Sequence, residues 1–273
     1  MNYQLHKNGW TVIIDDFDMS CATNQELFDL AKLCSVYTCV KIRNQYLTID
    51  RELEIIKSFE NPYQLFKPDH EKFKQFSLDK EGYIGRVTTN AIAGHKEEML
   101  WHNEAPGERM GSDIAWLYAE KGVQGSVTIW NNTAVAYKEL DDTTKEKIKN
   151  LKCIYFGNVN HSINRTEENF NNRKVYSTVL PLVYTNQSGV TGLHLSLHQF
   201  ERFDSMTREE SLEIAESLFA FVTQDKYCYF HEWQDGDVSM SDQWLGVHKR
   251  LYFNGMDDRL VHRATFNYPK ELS

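Results

Sequence analysis

Apolar positions in this chain alternate with polar ones or gather in short blocks, and most blocks are too short for helices. Trp10–Asp15 and Val36–Arg43 are rich in β-branched and aromatic side chains and predict strands. Between them Leu27, Leu30, Ala31 and Leu33 recur at helical spacing over residues 24–33. Thr48 is placed to cap a second helix carrying Leu53, Ile55, Ile56 and Phe59. Residues 60–100 are polar and irregular and predict long loops. From about residue 112 strands dominate, expected at 112–119, 126–131, 152–157, 175–184, 193–197, 227–233, 237–241 and 260–267. Two helices interrupt them, each opened by a capping box, Thr143-x-x-Glu146 and Thr207-x-x-Glu210. The second shows a broad apolar face that includes Leu212, Ala215, Leu218, Phe219 and Val222. Many short strands with few helices predict a β-sandwich or jelly roll decorated on its outside.

Length and charge narrow this picture. The 273 residues lack repeats and Pro/Gly/Ser-rich linkers, so one domain over 1–273 is expected. Lys and Arg number 30 against 39 Asp and Glu, a net charge of −9. That balance excludes a bulk electrostatic grip on nucleic acid or an anionic membrane, while leaving room for a local basic pocket. No apolar run approaches the ~18 residues of a membrane helix. The first residues lack a leader pattern. The five cysteines, an odd number with no CxxC, fit a reducing compartment, and a cytoplasmic protein is expected. The expected partner is a small molecule, and a homo-oligomer is compatible with the sequence.

The sharpest local chemistry is Trp101-His102-Asn103-Glu104. In an extended segment, residues two apart share a face, so this imidazole and carboxylate can share a metal. A further ligand from elsewhere would complete a 2-His-1-carboxylate triad, leaving positions on Fe(II) for a bidentate oxo acid and for O2. His95-Lys96-Glu97 has the same spacing but lies in a charged run that reads as solvated loop. Downstream, Arg259 and Arg263 lie four apart on an expected strand shortly after a histidine. Two guanidiniums on one face suit carboxylate anchoring, because the planar fork pairs bidentately.

Taken in order, these motifs resemble the taurine dioxygenase (TauD/TfdA) family of Fe(II)- and 2-oxoglutarate-dependent oxygenases. Trp101-His-Asn-Glu104 is followed by Trp116-Leu-Tyr-Ala119, then Gly125-Ser-Val-Thr128, then Ala136-Tyr137. The C-terminal pattern reads Trp233-Gln-Asp-Gly236-Asp237, Asp242, His248 and Arg259-Leu-Val-His262-Arg263. Pro181-Leu-Val-Tyr-Thr185 with Gly189 and Gly192 is similar to a middle segment of the family. The resemblance spans residues 10–268 and implies a mainly β fold with flanking helices, a double-stranded β-helix or jelly roll. It implies His102, Glu104 and His248 as iron ligands and as the catalytic centre. It implies Arg259 and Thr128 at the distal carboxylate of 2-oxoglutarate. Arg263 would lie near the oxo-acid headgroup or an anionic group of the substrate, and Asp242 would be structural. Fe(II), 2-oxoglutarate and O2 are the implied cofactor and cosubstrates. The implied reaction oxidises, most simply by hydroxylation, an unactivated C–H bond and releases succinate and CO2.

Glu104 stands where Asp is commoner, as in the clavaminate synthase-like branch, which shifts the expected substrate towards a small anionic or zwitterionic molecule such as a free amino acid. Ser241 and Gln243 replace the Trp and Asn that flank the family's aspartate. A taurine- or sulfonate-type dioxygenase is the near alternative. A nonredox, cupin-like metal enzyme is the distant one, and it has no use for an oxo-acid clamp. Segments at 60–100 and 158–173 are expected to form lid or specificity loops. His161, His194 and His198 are read as structural or surface residues that can reach the substrate.

Overall fold

The computed structural model describes residues 1–65, 67–70, 73–88, 98–104, 112–156, 177–255 and 258–272. Its β-strands are β1 (Gln4–Leu5), β2 (Thr11–Ile14), β3 (Cys39–Ile42), β4 (Gly85–Thr88), β5 (Ile114–Lys121), β6 (Val127–Asn131), β7 (Lys152–Phe156), β8 (Ser177–Pro181), β9 (Val183–Thr185), β10 (Thr191–Leu193), β11 (Phe200–Phe203), β12 (Cys228–Glu232), β13 (Val238–Asp242), β14 (His248–Arg250) and β15 (Leu260–Phe266). The α-helices are α1 (Asn24–Tyr37), α2 (Ile49–Ser58), α3 (Phe73–Phe76), α4 (Thr133–Glu139), α5 (Asp142–Ile148) and α6 (Arg208–Val222). The protein is mainly β, as its patterning predicts.

Seven strands form one large sheet in the order β1-β2-β3-β13-β5-β15-β4, and β12-β6-β14 form a small one. The two sheets meet through a cluster that joins Cys39, Ala119 and Val261 of the large sheet to Trp130 and Tyr229 of the small one. A second cluster packs α1 and α2 against the outer face of the large sheet, where Leu30, Ile55, Val40, Ile42, Trp116 and Phe266 are buried. A third packs α6 against β7 and β11, through Ala215, Leu218, Val222, Tyr155 and Phe203. Burial of such aliphatic and aromatic surface, at about 25 cal/mol per Å², is what holds the helices to the sheets.

Several local expectations are corrected. The segment Val36–Arg43 is strand only from Cys39, because α1 runs to Tyr37 and ends at a left-handed Thr38 with φ 64°. Thr143 does not cap a helix: Asp141 does, accepting from the Thr144 amide. Asp141 takes the N-cap position, and Thr143 falls inside the first turn. Thr48 and Thr207 cap as expected, and Thr207 makes the full box with Glu210. α4 was not anticipated; Asn132 caps it by accepting from the amides of Ala134 and Val135. The expected strand at 193–197 is instead β10, and His194 turns in between Tyr155 and Trp244. Residues 60–100 are not all loop, since they include α3 and β4. The segment 158–173, with His161, and the His95-Lys96-Glu97 run lie outside the described residues.

Candidate metal and oxo-acid site

The site begins at an isolated bridge. His102 and His248 face each other across an antiparallel pair, the His102 amide donating to the His248 carbonyl at 2.9 Å and the reverse bond at 2.8 Å. Two residues from His102, Glu104 is held by its own amide, which donates to Gln243 Oε1 at 2.8 Å. Gln243 is one of the departures from the family pattern, and its carbonyl also accepts from Asn103 Nδ2 at 3.1 Å. The turn that brings the chain to His248 is tied by Asp242. Its Oδ1 accepts from the amides of Trp244 and Leu245, and its Oδ2 from the Tyr268 hydroxyl at 2.9 Å and from Asn186 Nδ2. Burial pushes this carboxyl up to about 6. The structural role expected of Asp242 is therefore visible in its contacts.

One ligand atom each from His102, Glu104 and His248 lies within 4.8 Å of the others. His248 Nε2 is 3.7 Å from Glu104 Oε1. His102 Nδ1 meets the Leu100 carbonyl at 2.7 Å, which assigns the proton to Nδ1 and leaves Nε2 its lone pair. Burial lowers both imidazoles, His248 to about 3, so both are neutral and able to ligate at neutral pH. Two neutral nitrogens and one carboxylate oxygen, all converging, are the donor set that suits Fe(II). The residues present therefore fit the metal that the sequence implies.

The surroundings are aromatic. Trp130 lies against His248, with ring centres 5.9 Å apart and planes 24° apart. His198 meets His102 edge-on at 6.2 Å, so it stands beside the candidate metal site. His194 is fully enclosed and lowered to about 4 by burial. Sequence reading missed Lys41, which is completely buried on β3. Its Nζ sits 3.0 Å from the centre of the Trp130 ring and donates to Ser239 Oγ at 2.6 Å. Burial lowers it to about 8. A lysine inside a strand of apolar neighbours gives no sign in sequence of which sheet it will face.

The expected carboxylate anchors are Thr128 and Arg259. Thr128 is buried on β6, and its hydroxyl oxygen accepts from Trp233 Nε1 at 2.8 Å. That bond leaves the Thr128 proton to donate elsewhere. Arg259 is 5% exposed, and its Nε and Nη1 find no acceptor among the described residues. Buried guanidinium donors without acceptors are costly unless an anion completes them. Arg263 is turned to the metal end, where its Nη2 meets Glu104 Oε2 at 2.5 Å. His262, alternating with it, points the other way and is bonded to Glu52 and Glu120, which gives it the structural role expected.

The taurine catabolism dioxygenase TauD, TfdA family matches residues 13–265. Pentalenolactone F synthase of Streptomyces arenae is 23% identical over 186 residues, 63% of this chain and 62% of that relative, so the match spans about three fifths of its length. The alpha-ketoglutarate-dependent 2,4-dichlorophenoxyacetate dioxygenase of Burkholderia sp. (strain RASC) is 22% identical over 236 residues, covering 82% of this chain and 79% of that one. Among solved structures, AAD-2 in complex with Mn(II) and N-oxalylglycine superposes with a TM-score of 0.80 at 18% identity. That match covers 97% of this chain and 96% of the other, and it shows a shared fold.

Proposed function

This chain belongs to the TauD, TfdA family and is a 2-oxoglutarate-dependent dioxygenase working with Fe(II), 2-oxoglutarate and O2, and from that premise we propose the roles of its residues and the class of its substrate. His102, Glu104 and His248 hold the iron. Arg259 and Thr128 take the distal carboxylate of 2-oxoglutarate. The facing large and small sheets are read as a double-stranded β-helix with the site between them. The observation that carries the reading is the buried convergence of two imidazoles and a carboxylate within 4.8 Å, with Arg259, whose Nε and Nη1 have no acceptor among the described residues, as the anchor.

Bound iron and cosubstrate supply the oxidation of a C–H bond coupled to decarboxylation of 2-oxoglutarate to succinate and CO2. The chain's own residues hold the donors, orient the oxo acid and keep water away. Arg263 braces Glu104 through a charge-assisted bond, which orients one carboxylate oxygen and leaves the other for the metal. Trp130 and His198 wall the site against water. The substrate is read as a small anionic or zwitterionic molecule, a free amino acid first and a sulfonate second, because Arg263 offers positive charge at the metal end. Five free thiols are in keeping with the cytoplasm.

The test is an anaerobic titration of the apoprotein with Fe(II) and 2-oxoglutarate, following the visible charge-transfer band of the chelate. The band should need both ligands and vanish in His102→Ala. Arg259→Ala should raise the 2-oxoglutarate requirement by about 10- to 100-fold, the worth of a bidentate charged pair, with iron affinity unchanged. A folded protein that binds iron but forms no band would sink the assignment. Succinate release on screening amino acids and sulfonates then identifies the substrate class.

A further inference from the structure

A second buried arginine lies beside the Thr128 half of that anchor. Arg250 ends β14, two residues beyond His248, and its direct partner across the strand pair is Thr128 on β6. In the same pairing His248 faces Trp130, and those two rings touch. Side chains two apart on a strand share a face, so Arg250 and Thr128 lie on the face that carries His248 and Trp130. Arg250 is 4% exposed. Its backbone is tied on both sides, the Met99 amide donating to its carbonyl at 2.8 Å and the Leu251 amide to the Val127 carbonyl at 3.0 Å. Its Nη1 donates to the Leu251 carbonyl at 3.1 Å, which sets the direction of the guanidinium.

Arg250 is also close enough to Arg259 for its charge to act there. Burial first, and the Arg250 charge second, hold Arg259 down to about 10, so both remain cations at neutral pH. Among the described residues no acidic side chain forms an ion pair with Arg259. Two buried like charges, with Arg259 Nε and Nη1 lacking an acceptor among the described residues, form an arrangement that an anion would complete. A monocarboxylic oxo acid has no charge to bring there. A dicarboxylic one does.

We propose that Arg250 is a second guanidinium for the distal carboxylate of the 2-oxo acid, so that Arg250, Arg259 and Thr128 hold the far end of the cosubstrate together and restrict it to dicarboxylic oxo acids. The inference rests on the oxo-acid site proposed above. Arg250 would touch the cosubstrate but not the metal. It therefore governs which oxo acid binds, and not whether iron does.

The experiment is the same anaerobic chelate titration with two probes, 2-oxoglutarate and 2-oxovalerate, which have equal chain length and differ in the distal carboxylate. The wild-type protein should bind 2-oxovalerate at least about 100-fold more weakly, the loss of several charged hydrogen bonds. Arg250→Met should weaken 2-oxoglutarate by about 10- to 100-fold and leave 2-oxovalerate and Fe(II) affinity unchanged. Arg250→Lys keeps the charge but loses the fork, and should weaken 2-oxoglutarate by about three- to tenfold while leaving 2-oxovalerate unchanged. Equal loss of both oxo acids in Arg250→Met, or unchanged affinity for 2-oxoglutarate, overturns the inference while the Arg259 anchor stands. Where the Met variant fails to fold, the Lys variant decides: selective weakening of 2-oxoglutarate supports the clamp, and parallel behaviour of the two probes overturns it. A wild-type protein that shows no band with 2-oxoglutarate overturns the underlying site, and this inference with it.

Discussion

His262 shows at the scale of one residue how a motif position and its purpose separate. It lies next to an arginine of the site, yet its two nitrogens go to Glu52 Oε2 at 2.5 Å and Glu120 Oε2 at 2.8 Å, away from it. Burial lowers its pKa, but the two carboxylates outweigh burial and raise it above the ordinary histidine value. A raised folded pKa means stability that is fully present below the unfolded value of about 6.5 and lost as pH rises through the folded one. Glu52→Gln keeps an acceptor for Trp116 Nε1, which now bonds Glu52 Oε1, but removes the charge. We expect it to cost about 1.5–3 kcal/mol at pH 6, the worth of a charged hydrogen bond. The gap from wild type should shrink as pH rises through the folded midpoint, read by urea denaturation, and the His262 midpoint itself should fall in NMR titration. Residues of this kind were partly legible. His102, Glu104, Thr128, Arg259 and Arg263 stood out by spacing and resemblance. Arg250 and Lys41 did not, because which face a side chain takes on a three- or four-residue strand depends on register, and register is set by distant partners.

Elements carry the site through close approach. Gly122, with φ +69°, lies where β5 ends beside the start of β15, and a Cβ there would sit 2.9 Å from Arg259 Cα and 3.0 Å from its amide nitrogen. Both the left-handed backbone and the contact exclude a side chain. Gly122→Ala should push the start of β15 away. We expect a loss of about 1–3 kcal/mol of stability, the usual cost of overpacking, together with weaker 2-oxoglutarate binding than any equally destabilising change elsewhere. Thr207→Ala is the matched comparison. It removes the capping box of α6 at about 1 kcal/mol and lies on a helix packed against β11, so the chelate titration should not move while the melting temperature falls. The sequence revealed this cap because Thr207 and Glu210 satisfy both halves of the box, even with Asp204 and Ser205 just upstream. It misled at Thr143 because Asp141, two residues earlier, offered a better-placed oxygen.

The whole molecule draws the proposed site from widely separated stretches: His102 before β5, Thr128 on β6, His248 and Arg250 on β14, and Arg259 and Arg263 around β15. Their convergence depends on β5, β13 and β15 lying side by side in the large sheet and β14 pairing with β6 in the small one. Strand existence and the β-rich class were readable from local periodicity. The order of strands was not, since it is decided by which faces bury each other after collapse. The reciprocal bonds between the His102 and His248 peptide groups give this arrangement a kinetic signature. Because each of the two amides is already capped by the other's carbonyl, the backbone of both proposed metal ligands is ordered by folding itself. Their N–H groups should therefore exchange with deuterium slowly in the metal-free protein, and adding Fe(II) under nitrogen should slow them by less than about tenfold, since opening there already requires separating two strands. Exchange as fast as that of a free loop before iron, and slow only after it, would mean that the metal gathers the site. The structure predicts the opposite order, a site that waits complete and admits its ion without rearranging.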